Sequence, residues 1–288
     1  MIDYAYYNGV FTPYDACAIP ISDRSIFFAD AVYDVMIGRC GIPYQMDEHL
    51  SRLFDNATMI GFKNLPCQAV IEEAVLELIR LSGADNFVLY IQLSANEMRR
   101  KHLRTENGVN LLITVTECMI PDKLETVDAV TLPDKRYDYC NLKTTNLLPA
   151  VLSMREAFES CADLAIQQKD GIVTECSAAN ISIIKGNQLI THPLDSSILP
   201  GISERNLVKV CASLGIPHIR REFKVCELFD ADAVLITSTT KLMKVCKRIN
   251  GSELCTSGMR AAERIFEKMR KDLFDKTQHF LKKNTIMC

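Results

Sequence analysis

Residues 142–149 read Leu-Lys-Thr-Thr-Asn-Leu-Leu-Pro, a mostly neutral segment that carries one lysine and precedes a predicted helix. Burial disfavours the charged form of an amine, so Lys143 among apolar and small polar neighbours is a candidate for a desolvated, reactive side chain. A segment of this kind is more often a surface loop with a solvated lysine. A role for Lys143 can therefore be assigned only together with other motifs in the sequence.

The hydrophobic pattern on both sides of this segment predicts a mixture of helices and strands. In residues 47–61, apolar positions recur every three or four residues and a glycine follows, as in an amphipathic helix with a glycine after its end. Asn8-Gly9 predicts a hairpin turn. The predicted strands are 4–11, 19–22, 87–93, 109–116, 164–167, 180–185, 188–191 and 233–237, and the predicted helices are 47–61, 68–81, 151–161, 203–214 and a terminal helix from about 257.

Residues 119–124, which contain Pro121 and Asp122, predict an interdomain linker. This linker would divide the chain into a small α/β domain over residues 1–118 and a larger domain over residues 125–288. A chain of 288 residues is long enough for two domains, because single cores stop growing near about 250–300 residues. Short mixed strands with helices outside them indicate an α/β or α+β fold.

The composition is that of an ordinary globular protein, with 48% hydrophobic residues, 24% charged residues and a net charge of -3. This charge gives no indication of a nucleic-acid or membrane partner. The amino terminus lacks a basic segment followed by an apolar stretch, and no apolar run approaches the ~20 residues that cross a bilayer, so we expect a cytoplasmic protein. The twelve cysteines include no Cys-x-x-Cys pair, which argues against a metal site and predicts reduced thiols.

Six short motifs follow one another along the chain. They are Asp23-Arg24 with Asp30 and Val32-Tyr33-Asp34; His49-Leu50-Ser51-Arg52-Leu53; residues 142–149; Asp170-Gly171-Ile172-Val173-Thr174-Glu175 with Asn180; Ile198-Leu199-Pro200-Gly201-Ile202-Ser203-Glu204-Arg205; and Thr237-Ser238-Thr239-Thr240. In order and spacing they resemble the class IV (fold-type-IV) pyridoxal-phosphate-dependent aminotransferase family, nearest its D-amino-acid branch. The resemblance covers residues from about 20 to about 251 and implies a two-domain enzyme with a small N-terminal α/β domain and a larger, pseudo-barrel-like C-terminal domain.

The resemblance also implies a site for pyridoxal 5′-phosphate. Lys143 would be the Schiff-base lysine and would move a proton between the substrate Cα and the cofactor. Glu175 would keep the pyridine nitrogen protonated, which makes the ring a stronger electron sink. The phosphate would be bound by groups that offer N–H or O–H donors: Arg52, the backbone of Ile202 and Ser203 at a helix N-terminus, the Ser203 hydroxyl, Ser238 and Thr239.

In the D-amino-acid branch, a tyrosine and an Arg-x-His pair bind the substrate α-carboxylate, and the partner subunit contributes the pair. Tyr33, Arg100 and His102 match this pattern, and all three side chains can donate hydrogen bonds to a carboxylate. Residues 99–104 are also basic enough to be a plain solvated loop. Arg136 stands where the branch has an arginine near the cofactor. The resemblance implies a homodimer that moves an amino group from D-amino acids such as D-alanine to a 2-oxo acid.

Several positions depart from the family pattern. Ser25, Ala29 and Ala31 replace glycines, and residues 176–179, Cys-Ser-Ala-Ala, replace Gly-Ser-Ser-Ser. Methyl groups narrow the space that glycines leave beside a ligand, so the departures leave the substrate and the reaction open.

Each of two assigned residues also has a simpler interpretation in isolation. Arg52 could pair with Glu48 on its helix, and Glu175 could be a turn carboxylate. For the whole chain, the alternatives are an aminodeoxychorismate lyase that eliminates pyruvate, a branched-chain L-amino-acid aminotransferase, and a non-catalytic homologue that serves as a cofactor-binding or scaffold protein.

Overall fold

The structure, a computed structural model, describes residues 3–105 and 108–284, with side chains through residue 278. Contacts between Cα atoms divide the chain into two compact units. The first comprises the described parts of Met1–Ile120, Leu142–Asn146 and Leu273–Cys288, and the second comprises Pro121–Asn141 and Leu147–Asp272. The segment that carries Lys143 therefore belongs to the first unit, although it follows the predicted linker in the sequence.

The described part of the first unit contains a sheet of six antiparallel strands, three complete α-helices and the end of a fourth. The strands are β1 (Tyr4–Tyr7), β2 (Val10–Pro13), β3 (Ala31–Arg39), β4 (Ile42–Pro43), β5 (Asn86–Ala95) and β6 (Val109–Glu117), and the helices are α1 (Arg24–Phe28), α2 (Met46–Met59) and α3 (Gln68–Ser82). Their order in the sheet is β2-β1-β6-β5-β3-β4. A 3-10 turn over Tyr14–Ala16 follows β2.

Helix α2 packs on β3, and α3 packs on β6 and β1. The predicted helical periods in this unit are confirmed, because α2 buries Leu50, Leu53 and Ala57 on one face. These side chains share one hydrophobic core with the inward residues of β5 and β6. The predicted hairpin is also confirmed: Asn8 and Gly9 both have positive φ between β1 and β2, as a two-residue turn requires.

The second unit contains a mixed sheet of nine strands. The strands are β7 (Glu125–Pro133), β8 (Leu164–Lys169), β9 (Ile172–Cys176), β10 (Asn180–Lys185), β11 (Gln188–Thr191), β12 (His218–Arg220), β13 (Ala233–Ser238), β14 (Leu242–Ile249) and β15 (Ser252–Glu253). The helices that follow Asn141 in the chain are α4 (Leu148–Glu159), α5 (Ile202–Ser213), α6 (Val225–Phe229) and α7 (Met259–Asn284). The order is β12-β11-β10-β13-β14-β7-β8-β9, with β15 beside β14.

The two end strands of this sheet, β12 and β9, are joined through the segment that follows β12. Ile172 in β9 forms a bridge with Lys224, and the Val173 N–H donates to the carbonyl of Phe223 (2.9 Å). The sheet therefore closes towards a barrel, as the sequence resemblance implied. Its interior is filled by apolar residues of β10, β13 and β14, among them Ile183, Val234 and Ile249.

Several predicted elements were wrong or missing. Residues 19–22 are not a strand, because Pro20 lacks an N–H and its carbonyl accepts from Asp23 in a turn (2.9 Å). Helix α5 begins at Ile202, one residue before the predicted start at 203, and Gly201 is its N-cap. The pattern missed β3, β7, β9 and β14; β9, for example, buries four consecutive residues and has no alternation to detect.

Two further observations concern the described part of the chain. None of its helices is both long and apolar enough to cross a membrane. Its eleven cysteines are all free thiols, three of them buried: Cys176, Cys211 and Cys246.

Candidate active site

Lys143 lies in a short extended segment beside the start of β3. The Tyr33 N–H donates to the Lys143 carbonyl (2.9 Å), and Val32 forms an antiparallel bridge with Thr144. Thr145 extends this pairing, because its N–H donates to the Ala31 carbonyl (3.2 Å). The backbone of Lys143 is therefore fixed by a strand of the first unit, and its side chain is half-buried rather than extended into solvent as on a surface loop.

The phenol ring of Tyr33 lies beside the amine of this lysine. The Lys143 Nζ is 4.5 Å from the centre of the Tyr33 ring. On β5, Tyr90 stacks on Tyr33 with ring centres 5.3 Å apart, and its hydroxyl donates to the Oε1 of Gln92 (2.6 Å). Burial is the main cause that raises the pKa of Tyr90 above its ordinary value. The structure thus brings the predicted Schiff-base lysine and the predicted carboxylate-binding tyrosine together.

Arg52 is held by a carboxylate that the sequence analysis gave no role. Asp34, fully buried on β3, accepts from Arg52 Nε and Nη2, both at 2.8 Å, and its Oδ1 lies 2.7 Å from His49 Nδ1. Burial alone would raise the pKa of Asp34, but the bonds to His49 and Arg52 outweigh it and hold the pKa below its usual range. His49 and Arg52 are one turn apart on α2, which is the spacing that could have indicated a shared partner.

Arg100 and His102 lie in the irregular segment between β5 and β6, and both are exposed. They meet on one aromatic ring: the Arg100 guanidinium carbon is 5.3 Å from the centre of Phe28, and the His102 ring is 5.3 Å from it. A cavity of about 440 Å³ in the first unit is lined by His102, Arg104 and Lys63 among others. Several cationic or polar donors therefore lie close together in and beside this segment. The structure brings Arg100 and His102 together on the ring of Phe28.

Glu175 lies on β9 of the second unit and is almost fully buried. Its Oε2 accepts from the Asn180 side-chain amide (3.1 Å) and from the Leu199 N–H (3.0 Å), and its Oε1 is paired with Arg136. Burial raises the pKa of Glu175 to about 7, although Arg136 and the Leu199 N–H act in the opposite direction. This is a carboxyl group that changes charge near neutral pH rather than an ordinary turn carboxylate.

Arg136 is fixed from a second side by Asp134. The Arg136 Nη2 donates to Asp134 Oδ2 (2.6 Å), and the Thr174 hydroxyl donates to the same oxygen (2.7 Å). Burial alone would lower the pKa of Arg136, but its bonds to Asp134 and the nearby charge of Glu175 raise it. The sequence could not reveal the pair of Arg136 with Glu175, because these residues are 39 positions apart in the chain.

The remaining predicted phosphate-binding residues lie at a helix start and a strand end. Helix α5 begins at Ile202, and its N-cap Gly201 offers no side-chain cap, so the first N–H groups, those of Ile202 and Ser203, point out of the helix. Ser238 ends β13 and Thr239 follows in the turn. Thr237 of β13 pairs with Asn180 of β10.

A Cβ at Gly201 would overlap the Oδ1 of Asn180 and come within 3.0 Å of its Cγ. The side-chain amide of Asn180 also donates to the Leu199 carbonyl (2.8 Å). Asn180 therefore connects Glu175, residues 199–201 and the end of β13 within the second unit.

These residues fit the cofactor that the sequence resemblance implies. An uncapped helix N-terminus offers N–H donors and a favourable dipole to a phosphate. Each oxygen of a carboxylate has two lone pairs, so Glu175 retains acceptor capacity for a protonated ring nitrogen beside its bond to Arg136. The second unit thus has the chemistry for both ends of pyridoxal 5′-phosphate.

Comparisons with known proteins agree with this chemistry. A family model described as amino-transferase class IV matches residues 31–249. The D-alanine aminotransferase of Bacillus licheniformis is 32% identical over 254 residues, which cover 86% of this chain and 89% of that protein.

Two solved structures have similar folds at lower identity. A branched-chain aminotransferase from the archaeon Thermoproteus uzoniensis, solved with norvaline, has a TM-score of 0.87 at 20% identity and covers 97% of both chains. A Legionella pneumophila protein assigned as a 4-amino-4-deoxychorismate lyase has a TM-score of 0.81 at 21% identity, over 89% of this chain and 96% of its own. At such identities the likeness concerns the fold, and the predicted fold-type-IV architecture is confirmed.

Proposed function

Because the chain belongs to the class IV aminotransferase family, we propose that it transfers the amino group of D-amino acids such as D-alanine to a 2-oxo acid. The observation that carries the proposal is that Arg100 and His102 pack on the same ring, that of Phe28. Two donors in one place suit a ligand with two acceptor oxygens, such as an α-carboxylate. The identity to a D-alanine aminotransferase supports the same substrate class.

The cofactor of the enzyme is pyridoxal 5′-phosphate, as in its family. When bound, this group supplies an electron sink for the electron pair released at the substrate Cα. In the first unit, we assign to Lys143 the covalent attachment of the cofactor and the transfer of the Cα proton, and to Arg52 a hold on the phosphate. The half-buried position of Lys143 and the fixed orientation of Arg52 on Asp34 support these roles.

In the second unit, we assign to Glu175 the hydrogen bond that keeps the ring nitrogen protonated. Its two bonds at Oε2, from Asn180 and Leu199, fix the direction in which Oε1 points. Four further residues of this unit would donate to the phosphate: Ile202, Ser203, Ser238 and Thr239. The open N-terminus of α5 supports the first two of these roles.

For the substrate, we assign Tyr33, Arg100 and His102 to the α-carboxylate. Both halves of a transamination use a substrate with an α-carboxylate, one as the amino acid and the other as the 2-oxo acid. One set of donors can therefore serve both substrates in turn. Loss of one such hydrogen bond to the charged carboxylate costs about 1.5–3 kcal/mol, which corresponds to roughly a ten- to hundredfold change in affinity.

A substrate screen tests the proposal directly. The purified enzyme is given pyridoxal 5′-phosphate, 2-oxoglutarate and a panel of D- and L-amino acids, and formation of each new 2-oxo acid is measured. We expect D-alanine to react faster than any L-amino acid. Faster turnover of L-leucine would instead indicate a branched-chain enzyme, and release of pyruvate from aminodeoxychorismate without transamination would indicate a lyase.

Two variants of the same loop test the carboxylate site. Arg100→Ala should raise the KM for D-alanine roughly ten- to hundredfold and leave cofactor binding unchanged. The matched control is Arg99→Ala, because Arg99 is an exposed arginine next to it in the chain. Equal effects of the two variants would show that the loop acts only through its total charge.

We also propose that the enzyme is a homodimer in which Arg100 and His102 serve the site of the partner subunit. Sedimentation of the holoenzyme measures the assembly. Mixed dimers test the exchange: one subunit carries Lys143→Ala and the other carries Arg100→Ala. If the loop acts across the interface, mixing restores one intact site and lowers the KM again, whereas an unchanged KM would mean that the loop serves its own subunit.

A further inference from the structure

A buried arginine lies under the loop that carries Arg100 and His102. Arg24, the first residue of α1, is 4% exposed, and its Nε donates to Asp30 Oδ2 (2.7 Å). Its Nη1 donates to the carbonyl of Lys101 (2.6 Å) and its Nη2 to the carbonyl of His102 (3.1 Å). One guanidinium therefore holds two successive backbone carbonyls of an otherwise irregular segment.

The start of α1 is itself anchored to the sheet. Asp23, fully buried, accepts from the Ser25 N–H (2.8 Å), and its other oxygen accepts from Ser94 on β5 (2.7 Å) and Asn110 on β6 (2.8 Å). These bonds tie the backbone next to Arg24 to two strands that flank the loop. The position of the guanidinium is thus set by the sheet and not by the loop that it holds.

The same arginine supports the aromatic ring on which the two donors pack. The Arg24 guanidinium carbon lies 4.6 Å from the centre of the Phe28 ring. Arg100 and His102 contact that ring as well, each at 5.3 Å. Arg24 therefore acts on both parts of the arrangement: the backbone that carries the donors and the ring against which they lie.

We propose that Arg24 is a positioning residue for recognition of the substrate carboxylate, acting through Arg100 and His102. The inference rests on the proposed function of those two residues. An exposed loop held only by water would sample many conformations, and each would separate the two donors differently. The planar guanidinium offers five N–H donors in a fixed fork, so it can bind the Asp30 carboxylate and two carbonyls at once, which a lysine ammonium on a flexible stem does poorly.

The first test compares Arg24→Lys and Arg24→Met with the wild-type holoenzyme. Both variants should raise the KM for D-alanine by about tenfold and change kcat by less than about threefold, because the chemistry at the cofactor is untouched. Arg80→Met is the matched control, since Arg80 is an exposed arginine of the same unit that pairs with Glu77. Should Arg24→Met fail to fold, Asp30→Asn provides a milder change that weakens the same anchor.

A double-mutant cycle separates positioning from general stability. If Arg24 acts through Arg100 and His102, then Arg24→Met should raise the KM by less than about twofold in a background that carries both Arg100→Ala and His102→Ala. A structural effect unrelated to the loop would instead multiply the KM by the same factor in both backgrounds, and that result would overturn the inference.

A readout that does not depend on activity completes the test. Amide hydrogen exchange of the peptide 96–105 in the holoenzyme should be faster by about tenfold in Arg24→Lys, with β5 and β6 unchanged. If hydrogen exchange and KM are both unchanged in Arg24→Lys while the wild-type enzyme is active on D-alanine, the inference is overturned and the proposed function still stands. A wild-type enzyme inactive on every D-amino acid would overturn the proposed function, and the inference with it.

Discussion

Asp34 and Arg52 face each other edge to edge: Arg52 Nε donates to Asp34 Oδ2 and Nη2 donates to Oδ1, both at 2.8 Å. The carboxylate is fully buried and also binds His49. A buried carboxylate with two such partners has little freedom to rotate, so the direction of the guanidinium is set in the absence of any ligand.

Asp34→Asn should weaken binding of the phosphate of the cofactor. The amide would place N–H donors towards Arg52, which itself only donates, so the guanidinium would lose its fixed direction. We expect the affinity for pyridoxal 5′-phosphate to fall roughly tenfold to hundredfold, as for the loss of a hydrogen bond to a charged group. Affinity for pyridoxal, which lacks the phosphate, should change by less than about threefold.

Equilibrium titration followed by absorbance measures both affinities. Asp55→Asn is the matched control, because Asp55 is an exposed aspartate on the neighbouring helix α2. Equal losses for the two ligands would mean that Asp34 supports the fold and not the phosphate clamp.

The parts of the fold that the sequence predicted are those governed by local periodicity. Helix α2 has one buried face and one exposed face, so its apolar residues recur with the helical period. Strand β3 was missed because it lies inside the sheet and carries the buried Asp34 among apolar residues, which removes any alternation. The start of α5 was predicted one residue late because the fit of Gly201 against Asn180 depends on a contact between distant residues.

For the site, ordered motifs predicted which residues would matter but not how they pair. Arg136 and Glu175 meet across 39 residues of chain, and Arg24 meets the backbone of His102 across 78. Such pairings are set by the register of strands and the paths of loops, which no local pattern encodes. The resemblance predicted which positions belong to the candidate site, whereas the pairs that Asp34 and Arg24 form are visible only in the folded chain.

Glu175 should give the cofactor-free protein a pH-dependent stability. Its pKa is raised by burial to about 7, against 4.5 for an ordinary glutamate. Between these values the folded protein keeps a proton that the unfolded chain has released, so this contribution to stability is present below pH 4.5 and is lost as the pH rises through 7. The loss amounts to about 3 kcal/mol at most across that window.

Urea unfolding of the cofactor-free protein at a series of pH values measures this effect. Glu175→Gln is the reference, because it keeps the shape and removes the titrating proton. The free energy of unfolding of the wild type should fall relative to that of the variant from pH 4.5 to pH 7. Parallel curves for the two proteins would mean that Arg136 keeps Glu175 ionised throughout.

Lys143→Ala should abolish transamination while leaving the protein folded. The substitution would remove both the proposed attachment point of the cofactor and the proposed base, and loss of general acid–base catalysis alone costs about 10²–10⁴-fold in rate. The yellow absorbance of the wild-type holoenzyme should shift, and borohydride should no longer attach the cofactor to the peptide that contains residue 143.

Lys135→Ala is the control for this substitution, because Lys135 is an exposed lysine eight positions earlier in the same connecting segment. It should keep the absorbance, the borohydride label and the activity. A label that persists in Lys143→Ala, or that maps to another lysine in the wild type, would remove the assignment of Lys143.

Gly201→Ala should disturb the site through a single methyl group. The φ of Gly201 is −69°, which alanine adopts without strain, so the cost comes only from space. The added Cβ would overlap the Oδ1 of Asn180 and push away a side chain that donates to Glu175 and to the Leu199 carbonyl. We expect a loss of about 1–3 kcal/mol in the free energy of unfolding, and weaker cofactor binding.

A second substitution identifies the contact responsible. Asn180→Ala removes the atoms that the methyl group would meet, so Gly201→Ala should cost less than about 0.5 kcal/mol in that background. Denaturant unfolding of the four proteins gives the coupling. If the two losses in unfolding free energy simply add, the glycine is needed for a reason other than the contact with Asn180. Close approach of the phosphate to the helix backbone then becomes the better explanation, because a methyl group there would obstruct the ligand in both backgrounds.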